Sequence, residues 1–311
     1  MGSNGSKQPS RAQWLRRLAL RRRDRIAFVL SGGGPLGAMH VGALRALLEH
    51  GVYPELLVGT SVGALNATFI AFDPSQHAVD KLEEIWRDLD DGDLFPGGRF
   101  KASWARMLVR GNRVFESTGM RKLIETRLPD AQFEDAAVPL SVVATDLETG
   151  AEEIFNSGPI LDPLLASTAM PGVFPPVTIG DRLYIDGGVA NNVPIAPAVA
   201  LGAKTVYVMD STSHSHQRRP LNRPIDYLLH AFTLARAQRL AIEQTTLAEK
   251  VRLVVLPPAP LDFFVPFASM EYSERLIDIG YESAKAFLTG GMPTQIEEVA
   301  GGAVEVIAPA K

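Results

Sequence analysis

Two apolar stretches of strand length run straight into glycine-rich turns and then into helix-period sequence. Ile26–Leu30 leads into Ser31-Gly32-Gly33-Gly34-Pro35-Leu36-Gly37, and residues 56–58 lead into Gly59-Thr60-Ser61-Val62-Gly63. Runs that are apolar without alternation belong to strands covered on both faces, the condition found inside a parallel sheet. Similar runs recur at 140–145, 205–209 and 253–256, with a shorter one at 183–185. Helix-period segments lie between them at 37–50, 78–88, 118–128, 225–248 and 272–288; in the first, Met39, Ala43, Ala46 and Leu47 share one stripe. Strands alternating with helices predict an α/β fold, a three-layer α/β/α sandwich around a mostly parallel central sheet. No internal repeat divides the chain, and the longest loops, 90–99 and 211–222, lack the composition of linkers. The sequence therefore predicts a basic arm over residues 1–25, one domain over 26–290 and a C-terminal tail over 291–311.

Composition removes whole classes of function. With no cysteine, thiolate nucleophiles, zinc–cysteine sites and iron–sulfur clusters are excluded. That usage fits a reducing cytoplasm. A net charge of −4 argues against a nucleic-acid partner. The charge is uneven: residues 1–25 carry a net +7, which leaves −11 for the remainder. Met1 to Ser6 read as a flexible start, and Trp14, Leu15, Leu18 and Leu20 interrupt the arginines that follow, a pattern that suits a solvated arm or a short membrane-surface helix. Residues 56–72 carry no charge, but Gly59, Thr60, Ser61, Gly63 and Asn66 mark them as a buried strand–turn–helix instead of a transmembrane span.

The first turn can form an anion-binding nest, because its glycines let backbone N–H groups converge at a helix N-terminus. Gly32, Gly34 and Gly37 also match a dinucleotide fingerprint, but that reading requires an acid at the end of the next strand, and Gly59-Thr60-Ser61 stands there. Gly59-Thr60-Ser61-Val62-Gly63 is a G-x-S-x-G pattern between strand and helix. In that setting a tight turn strains the serine backbone and exposes its Oγ, while the small flanking residues Gly59 and Gly63 avoid clashes. The third motif, Asp186-Gly187-Gly188 before Asn191-Asn192-Val193-Pro194, reads either as a carboxylate facing a cavity with nothing beside it to block access, or as a type I′ turn.

Together these motifs resemble the patatin-like phospholipases, including bacterial members related to the esterase domain of neuropathy target esterase. The resemblance runs from about residue 26 to 288 and includes Ala166-Ser167-Thr168-Ala169-Met170-Pro171-Gly172-Val173-Phe174-Pro175-Pro176, similar to the segment that the family carries before its aspartate. It implies a three-layer α/β/α fold and a serine–aspartate dyad that hydrolyses acyl esters of phospholipids or lysophospholipids. Ser61 is then the nucleophile and Asp186 the base, Gly32, Gly33 and Gly34 form the oxyanion hole, and Gly37, Gly59, Gly63, Gly187 and Gly188 support the motifs. One position departs: family members commonly have a basic residue just before the last glycine of the first motif, and here Leu36 follows Pro35.

Ester hydrolysis needs a nucleophile, a proton acceptor and donors for the developing oxyanion, and no metal or cofactor. A carboxylate serves as acceptor if it reaches the hydroxyl, and apolar surroundings that raise its pKa improve the match to neutral pH. Two rival readings are a catalytically silent lipid-binding module and a Ser–Asp–His triad completed by His214, His216 or His230. His40 follows the first turn but precedes Ser61, and His214 and His216 lack the spacing of a designed metal site. Two segments bear on substrate entry. Arg99, Lys101, Arg106, Arg110 and Arg113, interleaved with Phe100, Trp104, Met107 and Leu108, suit peripheral contact with an anionic membrane. Leu261-Asp262-Phe263-Phe264-Val265-Pro266-Phe267 suits core packing or an acyl channel.

Overall fold

The computed structural model describes residues 25–94, 117–212, 224–257, 261–266 and 269–290. The basic arm up to residue 24, the basic segment 99–113, His214, His216, Phe267 and the tail 291–311 lie outside the described residues.

An eight-stranded sheet organises the chain. Its strands are β1 (Ile26–Leu30), β2 (Leu56–Thr60), β3 (Leu140–Asp146), β4 (Glu152–Phe155), β5 (Val177–Ile179), β6 (Arg182–Asp186), β7 (Thr205–Met209) and β8 (Arg252–Val255). Five run parallel in the order β3-β2-β1-β7-β8, while β4, β5 and β6 pair antiparallel. The principal helices are α1 (Ala38–Glu49), α2 (Val62–Phe72), α3 (Gln76–Asp88), α4 (Thr118–Arg127), α5 (Leu161–Ser167), α6 (Ile195–Ala200), α7 (Pro224–Leu247) and α8 (Ser273–Leu288). The mostly parallel sheet with helices around it is the predicted class. The sequence reading missed β4, β5, α5 and α6. The two strands are short and only partly buried, so they lack the apolar run that marks an interior strand.

Strand β1 shows why helices cover both faces. Successive side chains point to opposite sides of a sheet. Phe28 and Leu30 join a large core with α1, α2, α3 and α8, while Ala27 and Val29 join a second core with α6 and the C-terminal end of α7. Helix α3 shows the amphipathic version: Ser75 caps it by accepting from Ala78 N–H, and Ala78, Val79, Leu82, Ile85 and Trp86 face the core. Helices α1 and α8 cross closely at two glycines, because a Cβ on Gly42 would collide with the Ile277 carbonyl and one on Gly280 with the Met39 carbonyl. Leu261, Phe263 and Val265 pack against the large core while Phe264 is exposed, so that segment alternates core and surface.

Strand pairing also fixes where two strands end. Val142 and Val143 pair with both β2 and β4, and Ala144 and Thr145 pair with both β4 and β6. A strand has two edges, so β2 and β6 share the edge of β3 opposite β4. Along it β2 arrives from one direction and β6 from the other. Thr60 stands opposite Val143 and Asp186 opposite Ala144, so the C-terminal ends of β2 and β6 meet head-on.

Candidate active site

Ser61 follows β2 directly and precedes α2. Its backbone is at φ 54°, ψ −127°, one of two non-glycine residues with positive φ among the described residues. That conformation turns the chain sharply from strand to helix and is rarely populated by a residue with a side chain. The neighbours have to be small. A Cβ on Gly59 would lie 2.5 Å from the Gly63 carbonyl oxygen, and one on Gly63 would run into the Leu30 and Ser31 carbonyls. Gly37 is similarly closed in by the Val62 side chain.

Head-on strand ends bring the Ser61 Oγ to 2.6 Å from Asp186 Oδ2, donating to it. The other carboxylate oxygen, Oδ1, accepts Gly188 N–H at 2.7 Å. Residues Gly187–Val189 form a 3₁₀ turn capped by the Asp186 side chain, and neither Gly187 nor Gly188 has positive φ, so this is not a type I′ turn. Gly187 is obligatory, since a Cβ there would strike the Val143 carbonyl. Asp186 is buried, and burial pushes its carboxyl above the usual range; the charge of Arg236 and the bonds from Ser61 and Gly188 oppose that shift.

Gly32 lies against the nucleophile, its absent Cβ 3.1 Å from Ser61 Cβ. Its N–H donates to the Asn192 carbonyl at 3.1 Å, and Asn192 Nδ2 returns a bond to the Gly32 carbonyl at 3.3 Å. Gly32 thus shapes the turn with its amide already engaged. The N–H groups of Gly33 and Gly34 have no acceptor among the described residues. Gly34, at φ 57°, sits in the left-handed region that favours glycine, and Gly33 is hemmed by the Ser211 side chain. Leu36 packs on the large core, so the first turn carries no cation.

Four residues to which the sequence reading gave no role in the site complete the arrangement. Ser167 Oγ accepts Ser61 N–H at 2.8 Å and donates to the Val143 carbonyl at 2.6 Å, holding the elbow to the sheet. Thr60 Oγ1 donates to the Asn191 carbonyl at 2.9 Å. Asn66, inside α2, donates to the Gly37 carbonyl at 2.9 Å and accepts from Trp86 Nε1 at 3.0 Å, tying the first turn to two helices. Arg236, on α7, donates through Nε to the Gly188 carbonyl at 2.7 Å. A buried polar residue within an apolar helix was the available signal for Asn66; Ser167 belongs to the 166–176 segment, which carries no local sign of its role; Arg236 gave no signal.

Of the described histidines, none bonds Ser61 or Asp186. His40 is buried behind the first turn, its pKa lowered to about 4 by burial, with Nδ1 3.4 Å from Asn66. His50 bonds the Ala46 carbonyl, and His77 and His230 are exposed. Among the described residues no group of three or more His, Asp or Glu is placed to hold a metal, and no helix is long and apolar enough to cross a membrane.

A strained serine and a buried aspartate, joined by one hydrogen bond beside a glycine turn, are the features that the patatin-like phospholipase profile spans, and it matches residues 28–199. The chain belongs to this family. Similar relatives include patatin-like phospholipase domain-containing protein ZK370.4 of Caenorhabditis elegans, 32% identical over 200 residues, covering 60% of this chain and 13% of that protein. Human patatin-like phospholipase domain-containing protein 6 is 30% identical, covering 60% of this chain and 13% of that protein. Lysophospholipase NTE1 of Eremothecium gossypii is 28% identical, covering 65% of this chain and 12% of that protein. The matched region is therefore about an eighth of each relative. Among solved structures, VipD of Legionella pneumophila aligns with a TM-score of 0.46 at 15% identity, covering 84% of this chain and 66% of that one.

Proposed function

We propose that this patatin-like protein is a serine acyl hydrolase acting on the carboxylic esters of phospholipids or lysophospholipids, with residues 26–290 as its catalytic unit. The observation that carries the reading is the 2.6 Å hydrogen bond from Ser61 Oγ to Asp186 Oδ2 at a strained elbow. Family membership and the printed name of a lysophospholipase among the relatives support the substrate class.

The chemistry follows from the groups present. Asp186 Oδ2 takes the Ser61 proton as Oγ attacks the ester carbonyl carbon. The carbonyl π electrons move to oxygen, and the N–H groups of Gly33 and Gly34 receive the resulting oxyanion. Loss of one such donor in other hydrolases costs about 3–4 kcal/mol of barrier. Protonated Asp186 then delivers its proton to the leaving alkoxide, which leaves an acyl ester on Ser61. In the second half Asp186 deprotonates a water that attacks the acyl carbon, and its proton returns to Ser61 Oγ. The burial that raises the Asp186 pKa makes the carboxylate a stronger base and its acid form a competent donor at neutral pH. Gly188 N–H fixes the carboxylate plane so that Oδ2 stays on the serine. No step draws on a metal or an organic cofactor.

The test is hydrolysis of a panel of phospholipids, lysophospholipids and short-chain nitrophenyl esters by the wild type and folded Ser61→Ala. The reading expects turnover of a lysophospholipid or phospholipid that Ser61→Ala abolishes. Turnover near normal in folded Ser61→Ala, or none on any ester by the wild type, overturns it and leaves a silent lipid-binding module.

A further inference from the structure

Arg236 reaches the dyad from α7, yet no step of the ester chemistry uses it. Its Nε is engaged by the Gly188 carbonyl, and its guanidinium lies over the Phe232 ring, 4.0 Å from Cζ to the centroid. Nη1 and Nη2 have no hydrogen-bond acceptor among the described residues; the side chain is partly buried, and the charges of Asp186 and Asp210 act on it. Their position is defined by Gly188. A Cβ on that glycine would have the Arg236 Nη2, Asn192 Oδ1 and Asp186 Oδ1 all within 2.9 Å. The cation thus stands beside the base, on the side away from the Ser61 hydrogen bond, which uses Oδ2.

A guanidinium whose task was to neutralise Asp186 would be expected to fork onto the carboxylate. This one instead anchors Nε on a carbonyl, rests its face on an aromatic ring and leaves its amino edge without a hydrogen-bond acceptor among the described residues. That edge, with two N–H donors in a fixed plane, matches phosphate geometry. The first turn has no cation to offer, since residues 31–37 include no basic side chain and Leu36 packs against the large core. In a glycerophospholipid only a short glycerol linker separates the scissile ester from the phosphodiester, so a group receiving the phosphate has to lie next to the nucleophile.

We infer that Arg236 is a specificity-determining residue whose Nη edge receives the substrate phosphodiester while the acyl ester lies over Ser61. The inference rests on the hydrolase reading for its substrate and makes a separate claim about recognition. The shared chemistry is a phosphate ester anion, and the assigned source is the lipid headgroup.

The test uses octylphosphocholine, which has the phosphodiester but no carboxylic ester, and octyl glucoside, a neutral amphiphile with the same tail, both below micelle-forming concentration. Each is titrated as an inhibitor of nitrophenyl butyrate hydrolysis, and calorimetry reads its binding without turnover. Arg236→Gln is expected to weaken octylphosphocholine at least about tenfold more than octyl glucoside, a difference of about 1.4 kcal/mol. Arg236→Lys, which keeps the charge but not the fork, is expected to fall between. Equal weakening of both amphiphiles shows that Arg236 only supports the pocket and overturns the inference. Inorganic phosphate that competes as well as octylphosphocholine, and loses as much in Arg236→Gln, assigns the site to free phosphate and overturns the lipid assignment. Absence of ester hydrolysis in the wild type would sink the hydrolase reading, whereas the calorimetric comparison decides the role of Arg236 on its own.

Discussion

Ser61 holds a backbone conformation that suits glycine better than serine, and Ser167 helps keep it there. Strain of this kind costs about 1–3 kcal/mol and persists only where surrounding structure imposes it. Ser61→Gly is therefore expected to melt above Ser61→Ala, by about 1 kcal/mol after the extra freedom of glycine in the unfolded chain is counted. Urea titration of the two variants measures it; equal midpoints would mean the elbow is unstrained. Ser167→Ala leaves the Ser61 N–H without its acceptor, an unmet buried donor worth about 1–3 kcal/mol. Lower stability with a fall in kcat larger than any rise in KM is the expected pattern, since the hydroxyl positions the nucleophile without contacting substrate. At this scale Ser61 could be picked out because G-x-S-x-G between strand and helix marks chain geometry, whereas Asp-Gly-Gly alone left two readings open and Asp186 was assigned through the resemblance. Ser167 was not legible, because its role depends on β3 lying next to β2, a contact 24 residues away to Val143 and 106 to Ser61.

Among the elements, β6 and α7 set the acid–base behaviour of the site. Burial raises the Asp186 pKa and the Arg236 charge lowers it. Catalysis needs the ionised carboxylate, so the acidic limb of kcat/KM for a neutral ester is expected above the ordinary carboxylate range. Removing the cation removes the lowering contribution, so Arg236→Gln moves that limb to still higher pH. A pH–rate profile that stays put or moves down contradicts the assignment of the limb to Asp186. The α/β alternation and the five parallel strands were legible from apolar runs. Antiparallel β6 was seen only as 183–185, and its tandem placement with β2 along one edge of β3 lies in pairing register, which no local pattern encodes. The α1–α8 crossing left two clues, Gly42 and Gly280, each a glycine within a helical pattern. Gly280→Ala is expected to force the helices apart and destabilise the fold by about 1–3 kcal/mol.

For the whole molecule, two buried titrating groups give opposite pH dependences. His40 has its folded pKa depressed to about 4 from 6.5, so the unfolded chain binds more protons between those values. Stability consequently falls as pH drops from about 6.5 toward 4, by about 3 kcal/mol in full from this residue. Asp186 has a raised folded pKa, and its contribution is present at low pH and lost as pH rises through that value. Asp186→Asn is thus expected to be at least as stable as the wild type at neutral pH while losing nearly all activity. His40→Gln is expected to flatten the acid-side loss seen in urea midpoints between pH 7 and 5. A His40→Gln profile parallel to the wild type would show that His40 does not titrate as a buried base.

The central claim is that Ser61 is activated by Asp186 directly. An organophosphonate ester that mimics the tetrahedral intermediate, followed by intact-mass and peptide analysis, reads this with no assumption about the natural substrate. One adduct on Ser61, absent in Ser61→Ala and formed orders of magnitude more slowly in Asp186→Asn, is the predicted result, with individual His214→Gln, His216→Gln and His230→Gln variants labelling within about tenfold of wild type. Labelling of Asp186→Asn at the wild-type rate, or its near loss in any one of the histidine variants, would contradict the dyad.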